Sequence, residues 1–457
     1  MKLPELLLPA GSFEKAVAAI TYGADAVYAG SPSFSLRTRE NRVTENDLEK
    51  IIAFAHARGK KVYATVNAFP HEFLIPHLKK HLEFLAEKNP DGIIFADLGV
   101  LALANEIAPK IPKHLSVQTS TTNIPAMKLW QKLGVSRVIL ARETAIKEVA
   151  KIHAALPDLE LEYFVHGAVC MAYSGRCLLS NFSAGRNANA GACNHACRWN
   201  YKIFDEDGRE IDLADHEISD KKGGKSKSIR DFEKLNFLEE EKRRGEIIPV
   251  EEDFHGTHIM SSRDMCMIEH LREIADAGVV SLKVEGRNKS AYYAATVARA
   301  YRGALDDLAA GRDFNEKWGD EIHATANRGF FPGFLHGRPR SGDIKYSANS
   351  STAQKEFAGV VQKFQKNRVE ILVKNQIVAG EKLEFLLPNP ADDFEIVAED
   401  LRFGDEKVEV LHGGNTNKTA SLKCDRKVPA GTFFRQKVKN AGLKKSPAEI
   451  AAESYRA

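Results

Sequence analysis

The chain has 457 residues, of which 43% are hydrophobic and 28% charged, an ordinary globular balance with length for two or three domains. Lys and Arg number 65 against 62 Asp and Glu, a formal charge of +3, which excludes a strongly basic whole-molecule nucleic-acid binder but leaves room for a local basic groove. No apolar run approaches the ~18 residues of a membrane span, and Pro4 and Glu5 interrupt the opening before a signal-like apolar stretch can form, so the expectation is a cytoplasmic protein with no membrane partner.

Short β-rich runs alternate with helical patterns over residues 1–165. Strands are expected at 5–8, 25–29, 61–66, 92–96, 115–118, 137–140 and 159–165, with an eighth at 280–284 after a long insertion. Ser12 is placed to cap the helix EKAVAAITYG, and Thr44 with Asp47 three residues on forms a capping box for the next helix. Repeated βα units predict a closed (β/α)8, TIM-like barrel over 1–340. An open doubly wound sheet is the competing arrangement, and the chain lacks the GxGxxG turn that usually marks its ligand site. The insertion spans 168–279. Its charge-rich part, 214–246, reads as a solvated excursion, with Lys221, Lys222, Lys225, Lys227 and Arg230 as candidate phosphate contacts. A strong amphipathic helix is expected at 291–308 and irregular chain at 312–350. From Phe357 onward short β runs alternate with turn residues, which predicts a small all-β barrel domain at 356–438 and a polar tail at 439–457.

In a barrel of this kind, function gathers where strands end and βα loops begin. Those positions are polar here: Tyr28 and Gly30, Asn67, Asp97, Gln118, Arg142 with Glu143, His166, and Glu285-Gly286-Arg287. Loops face water, so any single one of these residues has a bland explanation. As a set they point to a binding mouth.

The densest chemistry lies in the insertion. Cys170, Cys177, Cys193 and Cys197 read C-x6-C-x15-C-x3-C. Cys193 and Cys197, at i and i+4, share one face if helical, and Gly175 between the first two thiols permits a tight turn. Clustered thiolates in a reducing compartment favour a metal over disulfides. The first spacing is loose for structural zinc and unlike ferredoxin runs, so iron–sulfur and zinc both stand, with unligated thiols as the plain alternative. Arg176 and Arg198 flank the cysteines, and His195 lies between two of them. Cys266 and Cys424 read as ordinary thiols, and His255 with His258 as a weak secondary pair. There is no GxxxxGK loop, no GxSxG elbow and no HExxH.

The segment from Glu162 through His166-Gly-Ala-Val-Cys170 to Ser174-Gly-Arg-Cys177-Leu-Leu-Ser180 closely resembles the signature of the collagenase-like peptidase family of unknown catalytic type. PELLLPAG, YGADAVYAG, HLSVQTSTTN, EEDFHGTHIMSSRD, SLKVEGRNKS and NRGFFPGF resemble further blocks of that family. The length, CNHACRW and the C-terminal β domain resemble a branch that hydroxylates tRNA; other branches act on a ribosomal RNA cytidine or in oxygen-independent ubiquinone synthesis. The resemblance implies a 4Fe-4S cluster on Cys170, Cys177, Cys193 and Cys197. It also implies prephenate-dependent hydroxylation of the wobble uridine in the tRNA anticodon loop to 5-hydroxyuridine. In a shorter branch the last ligand comes from the segment matching HGTHIMSSRD, so Cys266, just beyond it, competes with Cys197 for the fourth place. Asn67, Gln118, Arg142, His166, Arg176, Glu285 and Arg287 are the candidates for holding base and prephenate, and Lys363, Lys366 and Arg368 for touching the tRNA backbone. No residue is assigned as catalytic acid or base, and no accessory protein is identified. The competing functions are a true collagenase-like peptidase and a non-catalytic RNA-binding protein braced by zinc.

Overall fold

The computed structural model describes residues 3–31, 33–35, 43–169, 263–337, 353–414 and 417–438, with the backbone of five short strands between 203 and 258. Seven strands, β1 (Glu5–Pro9), β2 (Ala26–Ala29), β3 (Lys61–Val66), β4 (Gly92–Phe95), β5 (Lys113–Leu115), β6 (Val135–Ile139) and β7 (Glu160–Ala168), pair in parallel and in sequence order. The strand Val279–Val284 pairs in parallel with both β7 and β1 and closes the ring. The result is an eight-stranded parallel barrel. Its strands are buried on both faces, which is why they read as unbroken apolar runs rather than alternating ones.

The helix starts follow the local chemistry. The Ser12 hydroxyl accepts from the Lys15 amide at 3.2 Å. Thr44 and Asp47 form a reciprocal box, each side chain accepting from the other's amide at 3.1 Å. Asp97, which looked like a mouth residue, instead caps the helix Leu98–Ile107 by accepting from the Val100 amide at 3.1 Å.

The lower half of the barrel interior is ionic. Glu162, fully buried, accepts from Lys283 Nζ at 2.6 Å and from Arg137 Nη1 at 3.2 Å. Arg137 also reaches Glu5 at 3.0 Å and Glu160 at 2.7 Å, and Tyr63 and Ser281 donate to Glu5. Charges from β1, β6, β7 and the closing strand are thus paired with one another instead of with water.

Two sequence expectations are corrected, and a third stretch gains a strand. The fifth strand runs Lys113–Leu115, not to 118; Ser116 accepts from the Gln118 amide and bends the chain into the 3-10 turn Val117–Thr119. Residues 312–350 are not wholly irregular: they contain the helix Lys317–His323, whose Gly319 blurs its periodicity, and the strand Phe330–Phe331. In the charge-rich 214–246, Asn236–Glu239 is a strand antiparallel to Ile247–Asp253. Near the end of the insertion, Asp264–Cys266 runs antiparallel to the top of β7, and the helix Leu271–Asp276 leads into the closing strand. Burial of Met265, Ile268, Leu271 and Ile274 attaches this stretch to the barrel wall.

The C-terminal residues form an eight-stranded antiparallel half-barrel with its own core, including Val361, Ile371, Leu383, Phe385, Leu422 and Phe434. It is fixed to the parallel barrel by a stack of Tyr292 on Phe357, with centroids 4.7 Å apart. Buried Arg435 spans the junction, donating at 2.7 Å to both Glu321 and Glu384. Among the described residues no helix is long and apolar enough to cross a membrane.

Candidate functional site

The upper ends of the strands enclose a polar mouth. Its construction explains several glycines of the quoted motifs. A Cβ on Gly30 would lie 2.5 Å from the Thr65 carbonyl oxygen, so β2 must end in a bare residue for the chains to pass. Gly167 sits at φ +104°, and a Cβ there would meet the Glu285 carbonyl at 2.6 Å, so the His-Gly pair requires glycine on both counts.

Two polar chains cross the mouth. Arg287 Nη1 donates to Ser35 Oγ at 2.8 Å, and that hydroxyl lies 2.7 Å from Thr65 Oγ1. The Arg287 carbonyl accepts from Lys15 Nζ at 2.8 Å, which fixes the backbone after the closing strand. On the other side Asn67 Nδ2 reaches Ser116 Oγ at 3.5 Å, and Ser116 donates to the Gln118 side chain in a short hydrogen bond. Arg142 lies against the wall with its guanidinium 4.0 Å over the Phe164 ring and Nη2 3.8 Å from Glu285 Oε2. It is 9% exposed, and its Nε is buried with no hydrogen-bond partner among the described residues. An arginine held this way, by a ring and one loosely placed carboxylate, keeps donors for a planar anion.

His166 is buried beside the mouth. The Tyr301 hydroxyl donates its one proton to the Val165 carbonyl at 2.9 Å, and His166 Nδ1 lies 3.4 Å from the tyrosine oxygen. The tyrosine oxygen also accepts from the Met267 amide at 3.4 Å; with its own proton committed it can only accept from His166, so a hydrogen bond between the two puts the imidazole proton on Nδ1 and leaves the lone pair on Nε2. Burial, with Lys289 nearby, lowers the His166 pKa from 6.5 to about 3, so the ring is neutral at physiological pH. His166 lines a small cavity with Asp264, Lys289, Tyr293, Asn327 and Phe330. Beyond Lys289 and Tyr293 lies a cleft of about 410 Å³ where the barrel meets the C-terminal domain, with Lys355 and Phe357 on its far wall.

A pH dependence follows. Below pH 6.5 the unfolded chain takes up a proton at this histidine and the folded chain does not, until about pH 3. Stability therefore falls with acid across that window by about 1.4 kcal/mol per pH unit for this group. His166→Gln should flatten the acid limb of a urea-unfolding series; an unchanged slope would show that the ring is protonated in the fold.

The structure thus joins Arg142 to Glu285, Asn67 to Gln118 through Ser116, and His166 to Glu285 through the backbone bond from the Glu285 amide to the His166 carbonyl at 2.9 Å. Cys170, Cys177, Cys193, Cys197, Arg176, Arg198, His195 and His255 lie outside the described residues, as do Lys221, Lys222, Lys225, Lys227 and Arg230; the described chain stops at Val169, one residue short of Cys170. Tyr28 is a wall residue whose hydroxyl donates to the Val284 carbonyl at 2.9 Å. Arg368 is bound to Asp400 and Ser421, so its charge is used locally, whereas Lys363 and Lys366 are exposed. Cys266 is partly buried against Tyr301, and burial pushes its thiol up to about 11. Ser35, Thr65, Ser116 and Tyr301 were not singled out from sequence. A threonine inside an apolar strand, single serines in loops and a tyrosine on an amphipathic helix carry no signal of their own.

The model of peptidase family U32 matches residues 11–345, and the model of that family's C-terminal domain matches 353–435. The chain belongs to peptidase family U32. Among its U32 relatives it is 40% identical over 407 residues to tRNA hydroxylation protein P of Haemophilus influenzae, covering 86% of this chain and 88% of that one. It is 39% identical over 401 residues to the Escherichia coli protein of the same name, with the same coverage. A more distant relative, 23S rRNA 5-hydroxycytidine C2501 synthase of Escherichia coli, is 29% identical over 395 residues, covering 84% of this chain and 52% of that one. The U32 match places the mouth within the first family model and the half-barrel within the second.

Proposed function

We propose that this protein is a tRNA-modifying hydroxylase that converts the wobble uridine to 5-hydroxyuridine in a prephenate-dependent reaction, with an iron–sulfur cluster on Cys170, Cys177, Cys193 and Cys197. The observation that carries the reading is the near full-length similarity to two proteins named for tRNA hydroxylation. A relative named for hydroxylating a ribosomal cytidine supports the wider class, RNA hydroxylation at a pyrimidine.

The mouth is chemically suited to this reaction. An anticodon base is single-stranded and enters a barrel without breaking a duplex. Arg142 offers donors to a carboxylate of prephenate, and the neutral Nε2 of His166 accepts a hydrogen bond from a bound base. Arg287, held by Ser35, sets the opposite wall. Exposed Lys363 and Lys366 on the half-barrel suit the tRNA phosphates. Four cysteine thiolates are a donor set that fits a 4Fe-4S cluster, which would supply electron transfer. The first of them, Cys170, comes two residues after the end of the strand that carries His166.

The family's name keeps peptidase chemistry as the rival. The raised thiol pKa of Cys266 makes it a poor nucleophile. The deciding experiment is purification without air, with an absorption spectrum, iron and sulfide analysis, and nucleoside analysis of tRNA from cells lacking the gene. We expect a coloured protein with iron and sulfide, loss of iron in Cys197→Ala, and loss of hydroxyuridine restored by the wild-type gene. If hydroxyuridine persists without the gene while purified protein cleaves gelatin, the hydroxylase reading is wrong. Colourless protein that holds zinc would remove the cluster.

A further inference from the structure

His270, Glu273 and His336 present ligand atoms within 4.8 Å of one another on the outer flank of the barrel. They do not belong to the mouth, and they include no sulfur. The carboxylate is central: Glu273 Oε2 lies 2.9 Å from His336 Nε2 and 3.9 Å from His270 Nδ1. The two imidazole rings stand edge-on with centroids 5.2 Å apart.

Both sides are anchored before any ion arrives. On one, Ile268 and Leu271 are buried and hold the turn from which His270 and Glu273 project, three residues apart. On the other, Leu335 is fully buried and its carbonyl accepts from the Ile146 amide at 2.9 Å, so its neighbour His336 is placed by the core. As a surface hydrogen bond the Glu273–His336 contact would contribute little. That does not account for a second imidazole turned to the same oxygen.

We propose that His270, Glu273 and His336 form a binding site for a divalent cation of borderline softness, zinc above all. Two imidazole nitrogens and one carboxylate oxygen are a familiar zinc donor set, which leaves a position for water. Donor atoms around tetrahedral zinc stand about 3.3 Å apart. The separations of 2.9 and 3.9 Å bracket that value, so small side-chain rotations complete the set. The residues are partly exposed, with side chains 31%, 43% and 54% accessible, so an ion can enter. Bound there, the cation ties the helix Leu271–Asp276 to the loop after Phe330–Phe331. The helix follows the strand Asp264–Cys266 in the chain and the loop follows Phe330–Phe331, which pairs with that strand; Asp264 forms part of the wall of the small cavity beside His166. The expected role is therefore structural, a brace on that wall.

The test uses the full chain, purified without air and with its iron content measured. It is titrated with cobalt(II) and then with zinc. We expect one cobalt equivalent with ligand-field bands and no sulfur-to-cobalt charge transfer, displaced by zinc, which also raises the melting temperature. In His270→Ala and in His336→Ala that cobalt binding should weaken by more than about tenfold and the zinc-induced shift should vanish, while iron content and far-ultraviolet circular dichroism stay as in wild type. Glu273→Gln provides a third variant that keeps the side-chain shape. Cobalt bound only with thiolate bands, or binding undiminished in the histidine variants, overturns the proposal.

Discussion

Replacing Glu162 by glutamine should cost about 3–5 kcal/mol of stability, the usual penalty for removing one partner of a buried ion pair. Glu162 is fully buried and receives Lys283 at 2.6 Å and Arg137 at 3.2 Å. Arg137 keeps Glu5 and Glu160 in the variant. Among the described residues Lys283 keeps no acidic hydrogen-bond partner, and its ammonium is left over the Tyr28 ring at 4.1 Å. Burial lowers the Lys283 pKa, with Glu162 opposing that effect, so in the variant the lysine should shed its proton more readily. Unfolding in urea, compared at equal metal content, reads the loss. Lys283→Met in the same background removes the stranded charge and should recover a large part of it, so the two substitutions together should cost much less than their sum. A loss under about 1 kcal/mol for Glu162→Gln would mean that water reaches this cluster and the barrel floor is not sealed.

The second large effect is expected at Arg142. Within the proposed reaction, Arg142→Ala should raise KM for prephenate by about 10- to 100-fold, the equivalent of one or two lost charge-assisted hydrogen bonds, with tRNA affinity little changed. Arg142→Lys should recover only part of this, because a point charge cannot reproduce a planar fork. The melting temperature should fall as well, because Arg142 covers Phe164 and faces the buried Glu285, so KM is compared at a temperature where both proteins are folded. A KM for prephenate that does not change would place the anion elsewhere; a fall in tRNA affinity alone would make Arg142 a nucleic-acid contact.

Much of the fold was readable because its signals are local. Ser12, Thr44 and Asp47 act within a few residues of themselves, and each apolar run of the barrel announces a strand buried on both faces. The change of period at Phe357 marks where strands paired through turns replace βα units. The same locality limits the reading. Gly319 hid a seven-residue helix, and the strand Asp264–Cys266, three residues long, is held by β7 rather than by its own pattern.

For the site, the sequence by itself determined the residue types and their order: polar strand ends, the His-Gly pair, four clustered cysteines and a resemblance running through most of the chain. Tertiary structure alone decided how these residues are used. It gave Asp97 to a helix cap and Arg368 to Asp400, and it set Arg142 over Phe164 with one arm toward Glu285. It also made His166 neutral, by closing the barrel around it with Lys289 nearby. Desolvation and pairing depend on neighbours that are 135 or more residues away in the chain, at His166 with Tyr301 and at Arg287 with Ser35. No window of sequence contains both partners, so the chemistry of these side chains is settled only when the barrel closes.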